Sequence, residues 1–164
     1  MSTTVTICSS ANRILAGLLR GDTSFRPNVL YVEFQQGTSP VSPLPEVDPA
    51  DSDYYLDLRA DTLSDRDFLR IPVASITPLS GADPNKITLA FSGICVGTEG
   101  VGCKPTSGAR IYGLALAASP TFGTGVDDLT RDIVWARGYY ESESQILFST
   151  TAQTVLTFRL NLQN

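Results

Sequence analysis

The chain contains no histidine. That absence removes the side chain most often used as a base near neutral pH, and with it the usual imidazole ligand of zinc. The three cysteines, Cys8, Cys95 and Cys103, fall at spacings that make no structural-zinc motif. There is no Gly-x-Ser-x-Gly elbow to expose a nucleophilic serine and no Gly-Lys-Ser/Thr loop to cradle a phosphate. No stretch approaches the roughly 18 consecutive apolar residues of a membrane span. Met1-Ser2-Thr3-Thr4-Val5 has neither a basic leader nor an apolar signal core, which argues against secretion through a signal peptide. Charge is sparse as well. Only 18% of residues are charged, the net charge is −5, and the twelve basic residues are scattered singly. Binding a phosphate backbone needs clustered Lys and Arg, because affinity comes from displacing many counterions at once. Nucleic acid and membrane are therefore not expected partners, and no catalytic, cofactor-binding or metal-ligating residue is nominated.

What remains is the composition of one globular domain. The 164 residues are enough for a single two-layer core, and 42% of them are apolar. Few lysines and many Ser, Thr and Gly suit a surface that packs closely against other subunits. One helix is expected from about Ala11 to Arg20, capped by Ser9 or Ser10 and stopped by Gly21. Ile14, Leu15, Leu18 and Leu19 lie on one face of it and are the candidate interface residues.

After the helix the pattern changes to period two. Val29 to Phe34 reads as a strand with Leu30, Val32 and Phe34 on one face. Pro40, Pro43, Pro45 and Pro49 make the following segment a surface loop. Further strands are expected over 68–76 (Leu69, Ile71 and Val73 on one face, Pro72 at an edge or bulge), 86–96, 110–118, 132–140 and 145–149. The 110–118 run is small and apolar enough to be buried on both faces, and the last two strands read as a pair joined by Glu141-Ser142-Glu143-Ser144. At the C-terminus Leu156, Phe158, Leu160 and Leu162 alternate with Thr157, Arg159, Asn161 and Gln163. The expected fold is all-β: an antiparallel β-sandwich of about seven strands with one short N-terminal helix. The division is an N-terminal arm and helix over 1–25 and a sandwich over 26–164, with the Pro-rich loop near 37–50.

Other local signals are each weighed against a plain structural reading. Cys95 and Cys103 bracket a Gly-rich segment flexible enough to close a small disulfide ring, although free thiols are the default in a cytoplasmically folded protein. The glycines between 97 and 108 do not follow dinucleotide spacing and read as a plain loop. Asp48, Asp51 and Asp53 lack the spacing and closing Glu of a calcium loop and read, with Asp57 and Asp61, as a solvated acidic segment. Arg20-Gly21-Asp22 matches an integrin-binding tripeptide, but it sits where a helix should stop. Tyr54, Tyr55, Tyr139 and Tyr140 suggest either a ligand platform or, more plainly, paired tyrosines at strand ends or subunit contacts.

The order of motifs also resembles a family. A short helix leads into Arg26-Pro27-Asn28-Val29-Leu30-Tyr31-Val32-Glu33-Phe34, then Gly37-Thr38 and the Pro-rich loop. Phe68-Leu69-Arg70-Ile71-Pro72-Val73, Ile111-Tyr112-Gly113-Leu114-Ala115-Leu116 and Asp132-Ile133-Val134-Trp135-Ala136-Arg137 follow, and the alternating C-terminal strand closes the series. This resembles small virion proteins of tailed bacteriophages, of the decoration, head-fibre and tail-fibre-base type. Tyr31-Val32-Glu33-Phe34 departs from the more glycine-rich strand end of such domains. The resemblance implies a virion protein, assembled in the host cytoplasm, that acts as a homo-oligomer, with a trimer the expected form, and contacts other virion proteins, foremost the major capsid protein. The chain has no collagen-like or heptad repeat and no segment left over for a shaft or receptor-binding tip, which favours a capsid decoration (cement) role over a tail, baseplate, neck or fibre-attachment one. A carbohydrate-binding module is the alternative from another class, because β-sandwiches commonly host one.

Overall fold

The computed structural model describes residues 3–37, 54–55, 66–79, 86–96, 101–102, 105–126, 128–141 and 144–163. Among them, runs rich in β-branched and aromatic residues form ten antiparallel strands in two sheets packed face to face. The larger sheet is built from β1 (Thr3–Ile7), β2 (Val29–Gln35), β3 (Arg66–Pro72), β6 (Val101–Gly102), β7 (Arg110–Ala118), β8 (Ile133–Tyr140) and β9 (Ile146–Leu147). Its order is β1-β8-β7-β2-β3-β6, with β9 beside the start of β7. The smaller sheet is β10-β5-β4, formed by β4 (Ser75–Leu79), β5 (Lys86–Cys95) and β10 (Thr154–Gln163). The all-β sandwich with one short N-terminal helix, α1 (Ala11–Leu19), is the fold that the alternation patterns imply.

The main core lies between the sheets. Leu30, Val32 and Phe34 of β2, Leu69 and Ile71 of β3, and Leu114 and Leu116 of β7 face Phe91 of β5 and Leu156, Phe158 and Leu160 of β10. The Phe91 and Trp135 rings meet edge-on across the layers at 6.3 Å. Each such side chain, taken fully out of water, contributes about 1.5–3 kcal/mol. As expected for its composition, β7 is buried on both faces from Ile111 to Ala118. The same holds for β2 from Val29 to Phe34.

Three expectations change. The segment 68–76 is not one strand. Pro72 ends β3, the Val73 amide bonds to the Asn28 carbonyl, and the Ala74 amide bonds to the Ser92 carbonyl, so two residues carry the chain from the large sheet into the small one. Gly93 sits at that corner because a Cβ there would come within 2.9 Å of the Pro72 carbonyl oxygen. The second change concerns 132–140 and 145–149, which do not pair with each other. The free side of β8 is taken by β1, from Ile7 opposite Ala136 to Thr3 opposite Tyr140. Arg110 and Ile111 of β7 reach past the end of β8 and are bridged by Leu147 and Ile146 instead. The third is the N-terminal segment, read above as an arm, which supplies β1 and so an edge of the large sheet.

Candidate functional site

The outward face of the large sheet carries the richest chemistry among the described residues. Along β2 the inward set alternates with Tyr31 and Glu33, which point the other way. In register, Tyr31 lies opposite Arg70 of β3 and Ala115 of β7, and Glu33 lies opposite Gly113 of β7. On the far side of β7, Ala115 pairs with Arg137 and Gly113 with Tyr139 of β8. The small residues of β7 therefore leave a channel over which Glu33 and Arg137 meet. A Cβ at Gly113 would stand 2.9 Å from Glu33 Oε2 and 2.9 Å from the Tyr139 ring.

Two parallel triads result. In one, Arg137 donates through Nε to Glu33 Oε1 at 2.8 Å and through Nη2 to Oε2 at 3.0 Å, while the Tyr55 hydroxyl donates to Oε1 at 2.9 Å. In the other, Arg70 Nε lies 2.7 Å from Asp132 Oδ2 and Nη2 donates to Oδ1 at 3.1 Å. The Tyr31 hydroxyl donates to the same Asp132 carboxylate, and Arg70 also donates to the Ser119 hydroxyl. The two tyrosine rings stack on each other at 3.6 Å, joining the triads back to back. Tyr55 belongs to the connection between β2 and β3. Its amide donates to the Asp132 carbonyl, and Tyr54 bridges Ile133. Since Gln35 and Arg66 are directly paired, a tight hairpin would have sufficed; the connection instead sends Tyr55 back to the far end of β2.

Glu33, Arg70 and Asp132 are fully buried, and Arg137 is 8% exposed. Burial works against the charged form of Arg137, but the adjacent Glu33 carboxylate outweighs it and holds the guanidinium above its ordinary pKa. Arg70 packs over the Phe122 ring at 4.7 Å and Arg137 over Tyr139 at 4.8 Å. A working acid or base must exchange a proton with a substrate. Each of these carboxylates is already engaged by a guanidinium and a phenol, so the chemistry they perform is clasping. Tyr55 is fastened to the sheet, and strands β2, β3 and β8 to one another. Sequence reasoning passed over this cluster. Its signal was a charge set among apolar strand residues, Glu33 in β2, Arg70 in β3 and Arg137 in β8 with Asp132 just before it, with opposite signs to match.

The candidate interface residues divide. Ile14 is fully buried and Leu18 packs against the main core, whereas Leu15 is 49% and Leu19 80% exposed. One helical turn separates the exposed pair, on the side of α1 away from the core. Ser10 occupies the N-cap but directs its hydroxyl to the Val134 carbonyl instead of to α1. Gly21 ends the helix at φ +79°. Asp22 caps the following 3-10 turn, and its hydrogen bonds from the Ser24 hydroxyl and amide hold the carboxyl below its ordinary value. The tripeptide Arg20-Gly21-Asp22 is thus a helix terminus. Beside it an open depression of about 390 Å³ lies between Arg13, Arg20, Asp22 and Phe25.

No family model, curated protein or solved structure matches the chain. The remaining candidates are placed by geometry alone. Cys95 is a buried free thiol whose pKa burial pushes up to about 11, and Cys103, its suggested partner, lies outside the described residues. Asp48, Asp51, Asp53, Asp57 and Asp61 also lie outside them. The four tyrosines do not gather into one platform. Tyr55 is in the outward-face cluster, Tyr139 stacks on Tyr112 at 6.2 Å, and Tyr54 and Tyr140 pack against the main core.

Proposed function

We propose that this chain is a non-enzymatic structural protein of a tailed-bacteriophage particle, acting as a capsid decoration protein that binds the head shell as a homo-oligomer. The observation that carries the reading is the division of α1. Ile14 and Leu18 fasten the helix to its own domain, and Leu15 and Leu19 are left in water as a ridge one turn long. An exposed Leu by itself means little, but two on successive turns of an amphipathic helix form the kind of anchor that helix-in-groove and subunit contacts use. The engagement of the buried acids and arginines within the fold supports a role in contact rather than turnover. The order of sequence motifs supplies the virion context.

Imaging particles that lack the protein tests the proposal. Loss of regularly spaced density from the head surface is the expected result. Loss of density at the tail, baseplate or neck would move the chain there, and particles unchanged everywhere would overturn the virion reading. Metal-dependent hydrolysis of a glycan, abolished by replacing one carboxylate, would overturn the non-enzymatic part.

A further inference from the structure

The molecule has four sheet edges among the described residues, and three of them are short. β1 and β4 are five residues each, β4 with Pro78 within it, and β6 is two residues. The fourth edge is β10, ten residues long. Its register with β5 runs unbroken from Thr154 opposite Cys95 to Gln163 opposite Lys86. No described backbone group bonds to it from the other side. It contains no proline, glycine or lysine, no bulge and no inward-pointing charge, and these are the devices by which edges are kept from pairing. Its inward residues Leu156, Phe158 and Leu160 are 1–4% exposed, so the strand is held in place. Its outward residue Val155 is 65% exposed beside Ile94, at 42%, an apolar pair left uncovered among the described residues.

We propose that β10 is a homotypic docking edge, pairing antiparallel with β10 of a second copy across a two-fold axis to continue the small sheet from three strands to six. The strand's inward and outward alternation fits a second copy of itself, and its one charge favours the register. Inward residues must meet inward ones, so the axis passes through a single residue. Placing Arg159 on the axis would set the strand's only charge opposite itself, which is destabilising. Placing Thr157 there pairs Thr157 with Thr157 of the second copy, Leu156 with Phe158, and Val155 with Arg159. The aliphatic stem of Arg159 then covers the exposed Val155 of the other copy. The two guanidinium groups stay four residues apart, roughly 13 Å along the strand and beyond the screening length of about 8 Å at physiological salt. Each copy carries −5 overall, yet this edge bears no acid to add to the repulsion between copies. The contact is isologous and needs no second kind of surface. It does not depend on the virion reading, because it follows from the edge alone.

Sedimentation equilibrium of the purified full chain tests it. A monomer–dimer equilibrium is expected below about 1 mM. Val155→Lys, at an exposed site, brings two cations together and should weaken the dimer about tenfold or more, with the circular dichroism spectrum unchanged. Adding Arg159→Glu to Val155→Lys creates an opposite-charge pair across the same contact and should restore dimerisation. In a Cys103→Ser background, oxidised Thr157→Cys should yield a covalent dimer and Arg159→Cys should not. A wild-type chain that stays monomeric, a dimer indifferent to Val155→Lys, or a double variant that remains dissociated overturns the proposal. So does a monomer whose β10 amides gain exchange protection only on particles, because another virion protein would then occupy the edge.

Discussion

At the scale of single residues, the two triads decide what the outward face costs and contributes. A buried ion pair adds little net stability over an apolar pair of the same volume, but removing one partner leaves the other charge buried and uncompensated, at about 3–5 kcal/mol. Glu33→Ala strands Arg137 in this way and should lower the unfolding free energy in urea by about that amount. Tyr55→Phe removes one hydrogen bond to a charged group and should cost about 1.5–3 kcal/mol. Equal losses for the two would mean that the Glu33 carboxylate is not the centre of the cluster. Cys95 supplies a pH dependence of definite sign. Burial raises its thiol from 9.0 to about 11, so the folded chain keeps a proton that the unfolded chain releases. That contribution to stability is fully present below pH 9 and is lost as the pH rises through about 11. Urea melts of wild type and Cys95→Ala across this range should show the steeper alkaline decline in wild type, since the raised Tyr140 is common to both. Parallel curves would show that Cys95 ionises with equal ease in both states.

At the scale of elements, α1 shows how far a helical pattern can be read. The spacing of Ile14, Leu15, Leu18 and Leu19 correctly implied an amphipathic helix ended by Gly21, yet it could not divide the four between core and surface. That division depends on how α1 sits on β8, with Gly17 turned toward Phe25. A Cβ on Gly17 would stand 2.4 Å from the Phe25 ring, so Gly17→Ala meets overpacking of about 1–3 kcal/mol against a helix-propensity gain of about 1 kcal/mol. A net loss of thermal stability is expected, and a gain would mean that the ring moves aside freely. The strands were legible for a related reason. Period-two runs located β5 and β10 almost to the residue, because each lays one face on the core, and the small apolar run over 110–118 located β7, buried on both faces. The join between β3 and β4 was not legible, because Leu69, Ile71 and Val73 keep their apolar alternation into the corner where the chain changes sheet. The clasp was missed because opposite charges on separate strands reveal their pairing only once register sets Glu33 beside Gly113 and Arg137 beside Ala115.

At the scale of the whole molecule, four charges are consumed inside the fold, while Leu15 and Leu19 stand exposed for contact. An apolar contact has a measurable consequence on a shell. A protein that binds only the intact lattice stabilises it by mass action, about 2.7 kcal/mol per site when its free concentration is a hundredfold above the dissociation constant. Adding the purified chain to particles that lack it should therefore raise the temperature at which heads release their contents, progressively with concentration until the sites fill. Leu15→Lys with Leu19→Lys should abolish the rise while leaving the free domain folded. Lysine is a good helix former, suits the C-terminal turn of α1, and here replaces side chains 49% and 80% exposed. Ile14→Lys should instead unfold the domain, since Ile14 is fully buried. Burial of Leu15 and Leu19 is screened little by salt, so the rise should persist at ionic strengths where the Debye length falls to about 3 Å. A rise that vanishes in high salt would shift the contact to the depression between Arg13, Arg20 and Asp22. No rise at any concentration would remove the chain from the head shell.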